Sequence, residues 1–237
     1  MAARRLPRNE GTGASEVLST SGLRTPAVRV SGRGGGPPAD PATMTPRQQE
    51  RRERLIEAGL ALLDTRDYDG IQVKDVAEQA GVALGTLYNY FSSKEHLFAE
   101  VLISWASILK SSVSRRPLKE GTTSERLTEV FHRGIRGFQR QPQMARLVSA
   151  LDMSQDVFAS EILQRLQRTT SEAYLPVLRH LPESNARGII RVVNSVLSTN
   201  LRDWSVGRKT IVDCYDNVAE AVRLLLDSNE ASVSSGG

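Results

Sequence analysis

A single cysteine in 237 residues leaves Cys214 without a partner inside the chain. A disulfide-stapled fold is therefore excluded, and the thiol reads as a small core residue. The three histidines, His96, His132 and His180, are scattered, with no metal-ligand spacing. No apolar run approaches the ~20 residues of a membrane span, and the N-terminus lacks the compact apolar segment of a signal peptide. A cytoplasmic protein with no membrane partner is expected. The G-x-S-x-G elbow and the phosphate-binding P-loop are also missing, and Gly32-x-Gly34 has no strand before it. Neither catalysis nor a cofactor is expected.

What is present is a large apolar fraction, 39% of residues, enough to fill a real core. Arginine supplies 26 of the 31 basic residues and the net charge is +4, which suggests a nucleic-acid partner. The charge is unevenly placed. Residues 1–45 carry six arginines against three acids, whereas residues 46–95 carry seven basic and nine acidic groups. Residues 1–45 also hold seven of the 18 glycines and five prolines with no apolar period, a composition that reads as a disordered tail. The alternative is a basic arm in which Arg4, Arg5, Arg8, Arg24, Arg29 and Arg33 touch phosphates.

From Pro46 onward the apolar period is helical. Leu55, Gly59, Leu62 and Leu63 form one stripe of a first helix, and Asp69-Gly70 ends that unit. Short helices over residues 73–80 and 84–90 flank Gly81, which gives the backbone freedom of a tight turn. Ser93 can cap a longer helix whose residues Phe98, Val101, Leu102, Trp105, Ile108 and Leu109 keep i, i+3, i+4 spacing. Further helices follow over 124–141, stopped by Pro142, then 144–151 and 155–181, the last interrupted at Pro176. Two final helices, 183–205 and 210–227, carry more apolar surface than one core-facing stripe needs, as if a second helix pair packed on them. No strand pattern occurs, so the fold class is all-α. Four parts are expected: a tail over 1–45, a three-helix helix-turn-helix domain over 46–97, a helical bundle over 98–228 and a second tail over 229–237.

Residues Ala80 to Lys94 supply what a major-groove helix requires, with small residues where backbone approaches phosphate and polar side chains in reach of base edges. Gly85-Thr86-Leu87-Tyr88-Asn89-Tyr90-Phe91-Ser92-Ser93-Lys94 resembles the hallmark of the TetR family of transcriptional regulators, and the likeness spans roughly residues 50–105. That resemblance implies a DNA-binding role for Lys74 and Thr86 at base edges or in the groove, and for Leu84 and Gly85 where the recognition helix begins. It also implies that Tyr88, Asn89 and Tyr90 hold phosphates or bases, and that Lys94 reaches the DNA backbone. Each role has a plainer rival, packing for Tyr88 and a solvated cap for Lys94. Val76, Ala77, Val82, Leu87 and Phe91 are assigned to the small core. Two departures stand out: Ala83 and Gln72 occupy positions where many relatives carry a hydroxyl cap.

The same resemblance implies a double-stranded DNA operator, a homodimer through the last two helices and a small-molecule inducer bound in the C-terminal bundle. Candidate pocket residues are Phe131, Ile135, Phe138, Met144, Leu147, Val148, Leu151, Phe158, Ile162 and Trp204, for each of which core packing is the alternative. The stretches around residues 133–151 and 198–204 are similar to regulators of sterol and fatty-acid degradation. That looser likeness implies a largely apolar inducer, sterol- or acyl-CoA-like, with Arg133, Arg136 or Arg140 as phosphate partners.

Overall fold

A computed structural model describes residues 38–114 and 117–234, and every regular element among them is helical. The tail readings over residues 1–37 and 235–237 lie outside the described residues. Helix α1 (Pro46–Leu63) opens with Pro46 in its first turn, and the Gln48 side chain accepts from the Thr45 N–H at 2.8 Å. A 3₁₀ turn (Tyr68–Gly70) leads to α2 (Val73–Gln79). Gln72 lacks a hydroxyl, but the Asp75 carboxylate accepts from its backbone N–H at 3.0 Å and so caps the helix from inside. Gly81, at φ +63°, makes the turn into α3 (Leu84–Tyr88), whose Ala83 offers no side-chain cap.

Helix α4 (Lys94–Ser114) starts from Ser93, whose hydroxyl accepts from the His96 N–H at 2.9 Å, as the sequence leads one to expect. All seven residues from His96 to Leu102 are buried, so this stretch of the helix is enclosed on every side. It packs on α1 and on α7 (Val157–Tyr174) and also meets α5 (Thr123–Arg140) and α6 (Pro142–Asp152). Pro142 does double duty, stopping α5 and opening α6. The interruption at Pro176 is a 3₁₀ turn (Leu175–Leu178), after which α8 (Glu183–Ser205) and α9 (Ile211–Ser234) form a packed antiparallel pair joined through Gly207, φ +75°.

Two corrections concern the ends. Residues 38–45 are ordered rather than part of a tail: Pro41–Thr43 form a 3₁₀ turn capped by the Asp40 carboxylate, and Met44 is buried. One buried side chain and a few cap bonds hold this segment, and such features leave no apolar period to read. Helix α9 runs on to Ser234, past the expected end at Asp227, because no glycine or proline occurs before Gly236 to stop it.

The buried residues form two cores. The first runs from Leu55, Leu63, Val76, Leu87 and Phe91 through Phe98, Leu102 and Trp105 of α4 to Met144, Leu147 and Leu151 of α6 and Ile162 of α7. The second joins Leu127, Phe131 and Ile135 of α5 with Tyr174, Leu178, Ile190, Val193, Cys214, Val218 and Val222.

Candidate nucleic-acid interface

Helix α3 is held by its inner face, where Leu87 is fully buried beside Val76, Ala77 and Phe91. Its other residues reach the surface, Tyr88 only in part because it also packs on the first core. Leu84 is 43% exposed, Gly85 and Asn89 are exposed, Thr86 and Tyr88 are half-buried, and Lys74 is exposed on the neighbouring α2. A Cβ built on Gly85 would meet nothing within 4 Å, so packing within the chain does not require a glycine there. Ala39 donates its backbone N–H to the Asn89 carbonyl at 2.9 Å and so closes the end of α3.

Two expected DNA contacts are placed differently. Tyr90 is only 4% exposed and belongs to the first core. Positions two apart do not share a helical face, and here Tyr90 takes the inward side while Tyr88 stays half-buried at the edge of the same core. Lys94 is also turned in: its ammonium donates to the Tyr68 carbonyl at 2.6 Å and sits 4.0 Å from the Tyr68 ring centroid. Burial pushes the Lys94 amine below its ordinary value, with Asp69 and Glu95 opposing. In this arrangement Lys94 clamps the 3₁₀ turn after α1 to the start of α4.

Several residues that join the helix-turn-helix to the bundle escaped the sequence reading. Arg52 of α1 pairs with Glu100 of α4 at 2.7 Å, and Arg165 of α7 approaches the same carboxylate at 3.4 Å. Arg146 of α6 pairs with Asp67 and donates to the Ser205 carbonyl at 3.4 Å. Gln141 accepts from the Trp105 indole and donates to Asp64 at 3.3 Å. A charged residue inside the apolar stretch of α4 was the available signal for the first of these.

His96 lies between Phe91 and Phe158, edge-on to one ring and stacked on the other, and its Nδ1 accepts from the Ser92 N–H at 3.1 Å. Phe158 is thereby placed against α4 instead of lining a pocket. Burial pushes the His96 imidazole below its ordinary value of 6.5, and burial does the same to His132. The unfolded chain therefore binds protons more readily, so stability is expected to fall as pH drops through 6.5. Urea midpoints compared at pH 7.5 and 6.0 test this; an H96Q/H132Q variant should show a smaller drop.

The candidate pocket residues do not converge on one cavity. Met144, Leu147, Leu151 and Ile162 are packed in the first core, and Phe131 and Ile135 in the second, where Phe131 stacks on Tyr174 at 4.3 Å. Half-buried Phe138 touches both cores, and Val148 packs on the first. Trp204 alone of the set lines a surface cavity of ≈ 630 Å³ between the α1–α2 connection, α6 and the end of α8. Apolar spacing marks faces that avoid water but does not say whether they meet each other or enclose space. Arg133 and Arg136 both hold Glu129 at 2.9 Å, and Arg140 is exposed.

Comparison with known proteins resolves what kind of helix-turn-helix this is. Residues 55–101 match the bacterial regulatory proteins of the tetR family, and residues 121–225 match the tetracyclin repressor-like C-terminal domain. The HTH-type transcriptional repressor KstR of Mycolicibacterium smegmatis is 30% identical over 184 residues, covering 77% of this chain and 90% of the relative. The chain belongs to the tetR family. KstR of Mycobacterium tuberculosis is 27% identical over 186 residues, 78% of this chain and 84% of that protein. Among solved structures, a TetR transcriptional regulator from Rhodococcus sp. RHA1 superposes with a TM-score of 0.67 at 24% identity, covering 76% of this chain and 97% of that one. Thermus thermophilus FadR in complex with lauroyl-CoA gives 0.60 at 21% identity, covering 74% and 93%. These likenesses establish a shared TetR-type fold. No described helix is long and apolar enough to cross a membrane.

Proposed function

We propose that this TetR-family regulator is a homodimeric repressor whose grip on an operator is released by a largely apolar inducer, sterol- or acyl-CoA-like. The observation that carries the DNA-binding part is the outward face of α3: Leu84, Gly85, Thr86, Tyr88 and Asn89, flanked by Lys74. Gly85 supports it further, since the open space beside it suits a DNA backbone or base edge approaching from outside. Thr86 can serve a base edge, Leu84 a thymine methyl, and Tyr88, Asn89 and Lys74 the phosphates.

The sign of regulation follows the relatives named repressors. The inducer class draws on the acyl-CoA bound by the FadR fold relative and on the apolar make-up of α5 to α8. Its seat lies between these helices, where the packed side chains must part to admit it, so ligand and packed state compete. Dimerisation is assigned to α8 and α9, which expose Val192, Val212 and Leu224 at 44%, 59% and 52% beside half-buried Val196, Ala221 and Leu225.

Gel retardation on duplexes tiled across the upstream region of the chain's own gene tests the reading. Wild type should form a discrete complex, and a Thr86→Ala/Tyr88→Ala variant should bind about 10- to 100-fold more weakly. Equal retardation by the two proteins would overturn the assignment of α3. For the inducer, acyl-CoA and steroid-CoA thioesters should raise Tm and dissolve the complex. Absence of any stabilisation would remove that ligand class.

A further inference from the structure

The surface cavity of ≈ 630 Å³ lies where the DNA-reading end meets the bundle, away from the inducer seat between α5 and α8. Part of its wall is the turn after α1, with Asp67, Tyr68 and Asp69. The rest comes from α6, with Arg146 and Ala150, and from the end of α8, with Trp204 and Val206. Its volume falls within the ~300–1,000 Å³ of small-molecule sites, and polar and apolar side chains share its lining.

The charges in this cavity are not balanced. Arg146 is the cation among the lining residues, and it is already engaged, paired with Asp67 and donating to the Ser205 carbonyl at 3.4 Å. Asp69 is exposed, and its carboxylate makes no ion pair or hydrogen bond with the described residues. The surroundings of Tyr68 are acidic as well: burial first, then Glu95, Asp69 and Asp156, push its phenol well above the ordinary value. The Lys94 ammonium answers part of that field, but it is bonded to the Tyr68 carbonyl and covers the Tyr68 ring. The C-terminal end of α8, whose carbonyls carry partial negative charge, adds Ser205 and Val206 to the wall. Beside them Trp204 is half-buried, and among the described residues its indole meets no other ring or cation. An indole left in this state can take a cation or a flat apolar group.

We propose that this cavity binds a small organic cation, its ammonium held by Asp69 and its apolar body resting on Trp204, Ala150 and Val206. The same carboxylate and helix end disfavour an anion. The site is separate from the inducer seat and does not depend on the DNA-binding reading of α3. Because its walls belong to both the helix-turn-helix side and the bundle side, occupancy favours the arrangement in which the two stand together as described.

The full-length protein is titrated calorimetrically with tryptamine, a primary ammonium on an indole body, and with indole-3-propionate, the same ring carrying a carboxylate. Wild type should bind tryptamine saturably at one site per chain and should not bind indole-3-propionate. Asp69→Asn should weaken tryptamine binding by about 10-fold or more, the loss expected for a charged hydrogen-bond partner. Its Tm should not change, since the Asp69 side chain supports no bond within the chain. Trp204→Ala should weaken binding by about 3- to 10-fold. Trp204 also packs on the second core, so Val206→Lys, which places a competing cation at a 59% exposed position without touching either core, gives an independent check and should weaken binding several-fold. Absence of saturable tryptamine binding, equal binding of the two probes, or wild-type affinity in Asp69→Asn would each overturn the proposal.

Discussion

Glu100→Ala is expected to lower the unfolding free energy by about 3–5 kcal/mol, the loss seen when one partner is taken from a buried ion pair. Glu100 is 9% exposed, and the Arg52 guanidinium, which meets it through Nη2, is nearly as enclosed and has a buried Nε with no hydrogen-bond partner. Removing the carboxylate leaves that cation in the first core with only the Phe91 ring, 5.3 Å away, to face it. Arg165 offers no compensation, being itself a cation and largely exposed. Urea unfolding of the variant checks the magnitude; a loss below about 1 kcal/mol would mean that the pair behaves like one on the surface. Replacing both partners, as Arg52→Met/Glu100→Leu, should recover most of the loss, since an apolar pair carries no desolvation cost.

Phe91→Ala should cost a similar amount, about 3–5 kcal/mol, through the cavity left by a fully buried ring. Phe91 follows the end of α3, meets His96 edge-on and lies under Arg52. Its removal should therefore loosen the recognition helix as well as the core, and operator binding should weaken under conditions where the protein is still folded. Because both variants act on Arg52, the double variant Phe91→Ala/Glu100→Ala should depart from the sum of the singles by about 0.5–3 kcal/mol. Strict additivity in a double-mutant cycle would show that the ring and the carboxylate do not share the cation.

What could be read from the sequence was whatever is local. Gly81 between two short apolar periods, Ser93 ahead of α4, Pro142 and Pro176 each act within a turn or two of themselves, and the helices lie where these residues place them. The inward core of the helix-turn-helix, Val76, Ala77, Leu87 and Phe91, was legible for the same reason. Long-range pairings were not. Arg52 and Glu100 are 48 positions apart, Asp67 and Arg146 are 79 apart, and no period in either segment announces the other. Tyr90 and Lys94 fall in a motif whose polar residues read alike along the chain, although helical geometry turns some inward. The pocket residues illustrate the same limit, for Phe131 and Met144 are equally apolar yet serve different cores.

The first core also bears on how such a regulator can be re-engineered. It passes without interruption from the helix-turn-helix along the enclosed part of α4 into α6 and α7. A hybrid made by splicing another protein's sensor after residue 97 would ask Phe98, Leu102 and Trp105 to fit a foreign surface. Portable grafts should instead move α4 together with the matching faces of α6 and α7, treating them as an adaptor that travels with the DNA-reading end.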